Sequence, residues 1–313
     1  MRRRLLTFLI AGLMLAPGSA LAEDDGSSLS GAFVSAGETN LGRFGHAAVA
    51  LSDGQVLVVG GEADGGPTKT AEIWDPESAT FSAAGRMKKG RMFPAATVLD
   101  DGRVLIVGGH AGIGTLSSAE AWDPQRRTFA PAGELRQARA GAEAVTLRDG
   151  RVVIVGGGEG ATSIEVWQPK KGRFRKAGEL DRPLWGHTVT MLSDGRLLII
   201  GGERASHIWE PSTGAMLRSA AMASTRTHQS ATLPADGRVL VDGGTTIEES
   251  IATAEIRDPA TESFDPTGSM AGARGSHTAS LLPDGRVLIV GGYDHEGVAL
   301  ASSEVWDPRT GRF

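Results

Sequence analysis

Two dipeptides recur along the chain at a fixed distance from each other. Six Asp-Gly pairs are each followed by a Gly-Gly pair, whose first Gly comes seven residues after the Asp. Successive Gly-Gly pairs lie 48, 48, 45, 42 and 48 residues apart. A period of this length is typical of proteins built from one supersecondary unit per repeat. The Asp-Gly pairs lie at 53–54, 101–102, 149–150, 194–195, 236–237 and 284–285, and the Gly-Gly pairs lie at 60–61, 108–109, 156–157, 201–202, 243–244 and 291–292.

Within each repeat, apolar runs alternate with turn residues. Asp-Gly favours a hairpin turn, because Gly adopts positive φ without steric cost. The run that follows, such as 104–107, is apolar at every position, which indicates a strand buried on both faces. A Trp and then a Phe seven residues later mark two further strands, as at Trp74 and Phe81. These repeats predict an all-β, six-bladed propeller with four antiparallel strands per blade.

The double glycine that closes the second strand and the two aromatic residues beyond it resemble the kelch repeat. The resemblance covers residues 31–313 and implies a kelch-type propeller, but it leaves function open, because such propellers serve as enzymes, glycan binders and protein-interaction modules. Residues 31–37 resemble the last strand of a repeat. We expect them to complete the sixth blade and close the ring, although residues 310–313 also begin such a strand.

The first 22 residues have the pattern of a cleavable signal peptide. Three Arg precede an apolar run from Leu5 to Leu15, and an Ala-Leu-Ala site ends at Ala22. The run is shorter than the roughly 20 residues that span a bilayer, and no second run of that length follows. We therefore expect residues 23–30 to be a linker, residues 31–313 to form the propeller, and the protein to be periplasmic or secreted without membrane insertion.

Charge and cysteine content exclude several classes of function. Removal of residues 1–22 takes away three Arg and leaves 29 Lys and Arg against 37 Asp and Glu, so the net charge changes from −5 to −8. Such a chain does not suit nucleic acid, whose phosphates need clustered cations. The absence of Cys excludes disulfides, thiol nucleophiles and Cys–zinc sites. We expect a monomer without a cofactor.

One Arg precedes the first strand of each blade, on the face where the loops after Gly-Gly lie. A ring of guanidinium groups near a central channel suits a carboxylate or an acidic sugar. Because a Glu lies two residues before the Trp position in five blades, Arg–Glu pairs could instead satisfy most of this ring internally. The arginines are Arg43, Arg91, Arg139, Arg182, Arg226 and Arg274, and the glutamates are Glu72, Glu120, Glu165, Glu255 and Glu304.

The fourth blade departs from this pattern. His207 takes the place of the Glu, the loop after Gly-Gly is the shortest of the six, and Trp185 lies outside the Trp positions of the repeat. Arg182 therefore lacks its expected partner and lies near an extra aromatic ring, an arrangement that suits a sugar acid. Alternatively, Trp185 only fills the space under a short loop. We predict a ligand site formed by Arg182, Trp185 and His207, with Arg139, Arg226 and Arg274 from the ring.

Two other polar positions differ from their surroundings. Asp242 replaces the Val or Ile that precedes Gly-Gly in the other blades, so its carboxylate should be semi-buried and should need a partner. Asp294 and Glu296 flank His295 on a loop, but no partner from another loop accompanies them. We expect a solvated loop there and no metal site.

Enzyme chemistry receives little support from the sequence. Galactose-oxidase-like copper enzymes need a Cys–Tyr crosslink and a second Tyr, whereas this chain has no Cys and one Tyr. The Asp-box repeats of sialidases are absent. We expect a non-catalytic recognition module that binds a glycan or a protein on the Arg-bearing face. One alternative is a sugar-directed enzyme of mutarotase or epimerase type acting on an acidic sugar, similar to the periplasmic sialic-acid mutarotase. Another is a structural envelope or surface protein.

Overall fold

The computed structural model describes residues 33–63, 65–158 and 160–313, and the predicted signal peptide, the predicted linker and the first two residues of the predicted closing strand lie outside them. The described residues form six antiparallel sheets in chain order, each made from one repeat. Within each sheet the long strands pair in chain order, and the Asp-Gly turns join the first strand of each blade to the second. The protein is an all-β, six-bladed β-propeller, as the repeat predicts.

The strands of the first three blades have the following bounds. Blade one contains β1 (Phe44–Ala50), β2 (Val56–Ala63), the two-residue β3 (Gly66–Pro67), β4 (Thr70–Asp75) and β5 (Thr80–Arg86). Blade two contains β6 (Ala95–Val98), β7 (Val104–Val107), β8 (Ser118–Asp123) and β9 (Thr128–Glu134). Blade three contains β10 (Glu143–Thr146), β11 (Val152–Val155), β12 (Ser163–Gln168) and β13 (Arg173–Glu179).

The other three blades follow the same order. Blade four contains β14 (Thr188–Met191), β15 (Leu197–Ile200), β16 (Ala205–Trp209) and β17 (Met216–Ala221). Blade five contains β18 (Ser230–Thr232), β19 (Val239–Asp242), β20 (Ala254–Arg257) and β21 (Phe264–Pro266). Blade six contains β22 (Thr278–Leu281), β23 (Val287–Val290) and β24 (Ser303–Trp306).

The second strand of each blade forms the centre of the core. Every residue of β7, β11, β15 and β19 is buried, because each of these strands has a sheet neighbour on both edges and another blade against each face. The Trp of a third strand packs into the apolar cluster of the preceding blade, as Trp122 and Trp167 do. Trp122 also donates its indole N–H to the carbonyl of Ala84 in that blade, at 2.8 Å. Each Trp therefore joins two blades.

The first strands of successive blades contact one another and form an inner ring around the propeller axis. They are β1, β6, β10, β14, β18 and β22. At one end of this ring lie the loops that follow the Gly-Gly pairs and the residues that lead into each first strand. We call this end the loop face, and the Asp-Gly turns lie at the opposite end. The loop face is the one on which the sequence predicts the ligand site.

The sixth blade has three strands in the described part of the chain, and residues 33–43 form no strand. Ala36 nevertheless accepts a hydrogen bond from the indole N–H of Trp74 at 2.7 Å, as Ala84 does from Trp122. Phe313 packs against the apolar cluster that contains Trp306, whereas Phe33 is exposed. Closure of the ring by residues 31–37 stays a prediction. Among the described residues, no helix is long and apolar enough to cross a membrane.

Candidate functional site

Five blades contain a buried Arg–Glu pair at the loop face. Each Arg donates to the carbonyl of the first Gly of its Gly-Gly pair, to a carbonyl near the start of the third strand, and to the Glu of that strand. Such a pair is stable in the interior only because these hydrogen bonds replace lost water. The pairs are Arg43–Glu72, Arg91–Glu120, Arg139–Glu165, Arg226–Glu255 and Arg274–Glu304.

The predicted ligand-binding role of Arg139, Arg226 and Arg274 requires correction. All three are buried, and Nη2 of each lies 2.7–2.9 Å from its Glu. All five N–H groups of Arg139 and of Arg274 already donate to protein oxygens. Because no donor is left over, these two side chains hold their blades together and offer nothing to a ligand. Arg226 uses four of its donors in the same way.

In blade four the pair is replaced by Leu184 and His207. In other blades, the backbone N–H of the second Gly of a Gly-Gly pair donates to the backbone carbonyl of the Arg of the next blade, as Gly109 does to Arg139. Gly157 of blade three donates in the same way to the carbonyl of Leu184. His207 pairs with Ile199, two residues before Gly-Gly, which is the position that the glutamates occupy in the other blades. Leu184 therefore occupies the arginine position, and Arg182 lies two residues before it. The prediction that Arg182 belongs to the ring is wrong: Leu184 lies ten residues before Asp194, as the arginines lie before Asp-Gly in the other blades, whereas Arg182 lies twelve residues before it.

Arg182 has a partner outside the repeat pattern. Its Nη2 lies 3.0 Å from Oε1 of Glu203, the residue directly after the Gly-Gly pair of blade four. The same Glu203 oxygen lies 3.9 Å from Nε2 of His207. The structure thus brings Arg182 and His207 together, as predicted, but through a shared carboxylate. The Arg182 side chain is 40% exposed, so it also remains accessible from the loop face.

A second acidic residue, Asp181, completes this cluster. One side-chain ligand atom each from Asp181, Glu203 and His207 lies within 4.8 Å of the others. These three residue types can bind a divalent cation, but Arg182 already neutralises Glu203. With two carboxylates and one guanidinium, the cluster is not the free cationic site that the sequence predicts for an acidic sugar. A search for acidic residues directly after Gly-Gly could have identified Glu203.

Trp185 packs toward blades two and three, at the mouth of the central channel. Its ring packs against Gly141 of blade three, where an added Cβ would lie 2.7 Å from the indole. It also meets the ring of Phe93 edge to face, with centroids 5.9 Å apart and planes at 80°. Trp185 is 44% exposed, so part of its surface is open to solvent. Two aromatic rings from blades two and four therefore form one wall of the channel mouth.

The backbone around this mouth is held in an uncommon conformation. The second residue after the arginine position has a φ between +52° and +67° in every blade. Three of these residues are not Gly, and a left-handed conformation costs each of them about 1–2 kcal/mol. Backbone hydrogen bonds between successive blades stabilise this conformation. The N–H of Phe93 donates to the carbonyl of Gly45, and the N–H of Ser276 donates to the carbonyl of His228. The six residues are Gly45, Phe93, Gly141, Gly186, His228 and Ser276.

A single carboxyl group lies below this mouth on the inner ring. Glu143 begins β10 and pairs with Val155, directly before Gly-Gly. In each of the other five blades, the first-strand residue that pairs with the residue directly before Gly-Gly has a small side chain. Glu143 is therefore the only ionisable residue among these six equivalent positions, which form one layer of the inner ring. It is exposed, and it makes no hydrogen bond or ion pair with the described residues. Protein atoms around the carboxyl group displace part of its water and raise the pKa of Glu143 to about 7. The other residues are Ala47, Ala95, Thr188, Ser230 and Thr278.

The comparisons with known proteins agree with the fold. The kelch motif matches residues 43–88 and 91–136. No curated protein matches the chain. Among solved structures, the chain is similar to a fungal alcohol oxidase of the AA5 family in complex with copper, with 17% identity and a TM-score of 0.72. The match covers 85% of this chain and 63% of that structure, so this chain spans less than two thirds of the oxidase. At this identity the likeness shows the fold alone.

Proposed function

We propose that this propeller, in which the kelch motif matches two blades, is a non-catalytic recognition module that binds a glycan at the mouth of its channel. Kelch propellers commonly present a binding surface, which supports a recognition role in general. The observation that carries the proposal is the position of Trp185. Its exposed ring is fixed against Gly141 and Phe93, and aromatic faces of this kind stack on the apolar faces of sugar rings.

Other exposed apolar side chains also lie on the loop face. Phe44 begins β1 at this face, and Ile113, Ile247 and Val298 lie in the loops that follow Gly-Gly in three blades. Each of these residues is exposed, Ile113 and Ile247 fully so. Exposed apolar groups on one face indicate an interaction surface. A protein partner on the same face is therefore the second possible ligand.

The charges of the blade-four cluster favour a neutral or cationic sugar over an acidic one. Asp181 and Glu203 would repel a sugar carboxylate, and the one nearby guanidinium, that of Arg182, is already paired. This weakens the alternative of an enzyme that acts on an acidic sugar. The pKa of Glu143, at about 7, would suit acid–base chemistry on another sugar, and this observation favours the enzyme alternative in that form.

The N-terminal sequence supports a place of action outside the cytoplasm. We infer that the protein acts outside the cytoplasm, in the periplasm or after secretion, because residues 1–22 have the pattern of an export signal. Glycans of the cell envelope and the extracellular space are available to a protein in those compartments. Amino-terminal sequencing of the protein recovered from cell fractions tests this part directly, since a mature chain that begins at Glu23 is expected.

A thermal-shift screen tests glycan recognition. A ligand at a hundredfold excess over its Kd stabilises the folded state by about 2.7 kcal/mol. We expect at least one neutral or amino saccharide to raise the melting temperature of the wild type, and Trp185→Ala to abolish that shift. Leu217→Ala is the matched control, because Leu217 is an exposed apolar residue on the outer strand of the same blade. A shift that persists in Trp185→Ala, or no shift with any saccharide, would contradict the proposal.

A further inference from the structure

The central channel contains a carboxyl group without a partner. Glu143 lies on the inner ring in a layer whose other first-strand residues are Ala, Thr or Ser. A carboxylate of the blades that has a structural role has a cation or several hydrogen-bond donors beside it. Among the described residues Glu143 has neither. The glutamates of the Arg–Glu pairs show how this same fold satisfies a carboxylate when its role is structural.

The aromatic wall of the channel mouth lies close to this carboxyl group. Gly141, against which the Trp185 ring packs, precedes Glu143 by two residues. Two residues of chain span at most about 7 Å. A ligand that lies against Trp185 and Phe93 at the mouth can therefore reach into the channel as far as the Glu143 side chain.

A protonated amine fits this combination better than a metal ion does. Ca²⁺ takes six to eight oxygen ligands, whereas the layer around Glu143 offers one carboxylate and few hydroxyl groups. The hydroxyl of Ser230 already donates to Asp242. Aromatic faces attract organic ammonium groups, and a carboxylate is their usual counter-ion. The net negative charge of the chain also favours a cationic ligand.

We propose that the mouth of the channel recognises an amino sugar, with the Glu143 carboxylate as counter-ion for its ammonium group and Trp185 and Phe93 as the wall against which the ring lies. This inference rests on the proposed glycan recognition and narrows its ligand to sugars that carry a free amine. Acetylation of the amine removes the charge and should remove most of the preference.

Calorimetric titration of the mature chain with glucosamine, N-acetylglucosamine and glucose tests the proposal. We expect glucosamine to bind about tenfold more tightly than either neutral sugar, because a charge-assisted hydrogen bond is added. Glu143→Gln should remove this preference, so that the variant binds glucosamine and glucose with equal affinity. Glu77→Gln is the matched control, since Glu77 is an exposed carboxylate in a turn at the opposite face. The melting temperature of each variant verifies that it is folded.

The outcomes separate this inference from the function on which it rests. If the three sugars bind equally and Glu143→Gln has no effect, glycan recognition stands and the role of Glu143 is overturned. If no sugar binds, methylammonium chloride provides the remaining test. Stabilisation by methylammonium that Glu143→Gln abolishes would support an amine site in the absence of glycan recognition. No such stabilisation would overturn both proposals.

Discussion

His277 of blade six and Asp242 of blade five form a fully buried link between neighbouring blades, with Nε2 2.8 Å from Oδ1. Ser230 donates its hydroxyl to the other oxygen of the same carboxylate at 2.5 Å. The sequence predicts one partner for the Asp242 carboxylate, and the structure has two, one at each oxygen. At this position the other blades have Val or Ile, and in blade five a polar network replaces apolar packing.

We expect Asp242→Ala to destabilise the protein by about 3 kcal/mol. The substitution leaves the His277 and Ser230 side chains buried without their acceptor, and the cost of unsatisfied buried groups exceeds the loss of one contact. Urea unfolding of the variant and the wild type measures the difference. Asp100→Ala, at an exposed position, is the control and should change stability by less than about 0.5 kcal/mol. Equal effects of the two substitutions would contradict the structural role of Asp242.

The replacement of the Arg–Glu pair in blade four can be tested by introducing the same two residues into blade three. Glu165→Ala in blade three should cost about 3–5 kcal/mol, because it leaves the Arg139 guanidinium buried without its counter-ion. The double variant Arg139→Leu/Glu165→His copies Leu184 and His207 and should recover a large part of that loss. Denaturant unfolding of the three proteins provides the comparison. If the double variant is less stable than Glu165→Ala, blades three and four do not share this geometry.

Buried histidines predict a loss of stability in acid. Burial lowers the pKa of His187 to about 4, although its Nε2 also lies 3.1 Å from the carbonyl of Val155. The unfolded chain takes up a proton near pH 6.5 and the folded chain does not. Stability is therefore present above pH 6.5 and is lost as the pH falls to 4, by about 3 kcal/mol for this residue. His46 has its pKa lowered to about 4 by burial as well.

The equivalent residue of blade five provides the variant for this test. Gln229 donates from Nε2 to the carbonyl of Ile200, as His187 contacts that of Val155. We expect His187→Gln to fold normally and to lose less stability than the wild type between pH 7 and pH 4. Melting temperatures measured across that range give the comparison. Parallel curves for the two proteins would show that His187 does not contribute to acid sensitivity.

Glu143 should have the opposite effect on stability. Its pKa is raised from 4.5 to about 7 in the folded state by loss of water, so the folded chain retains a proton that the unfolded chain releases. Stability is then greatest below pH 4.5 and decreases as the pH rises through 7. We expect Glu143→Gln, which stays neutral, to melt at a higher temperature than the wild type at pH 8 and at a similar temperature at pH 4.5. Equal melting temperatures at pH 8 would contradict this.

The sequence predicted the fold because each repeat contains its own turn and strand signals. Asp-Gly and Gly-Gly mark the two ends of every second strand, and the need of Asp242 for a partner followed from its apolar neighbours. The site was predicted in part. Arg182 and His207 do lie together, but Leu184 and not Arg182 takes the arginine position, ten residues before Asp-Gly as in the other blades. The roles of Glu203 and Glu143 depend on which strands neighbour one another around the axis, and spacing along the chain does not contain that information.

Fluorine NMR of the protein labelled with 5-fluorotryptophan tests recognition at the channel mouth most directly. The chain has six Trp, and only Trp185 lies at the mouth, so Trp185→Phe assigns its resonance. On titration with glucosamine or another saccharide that binds, we expect the Trp185 resonance to move and the five strand Trp resonances to remain in place. Binding that shifts a strand Trp and leaves Trp185 unchanged would show that the ligand site lies elsewhere.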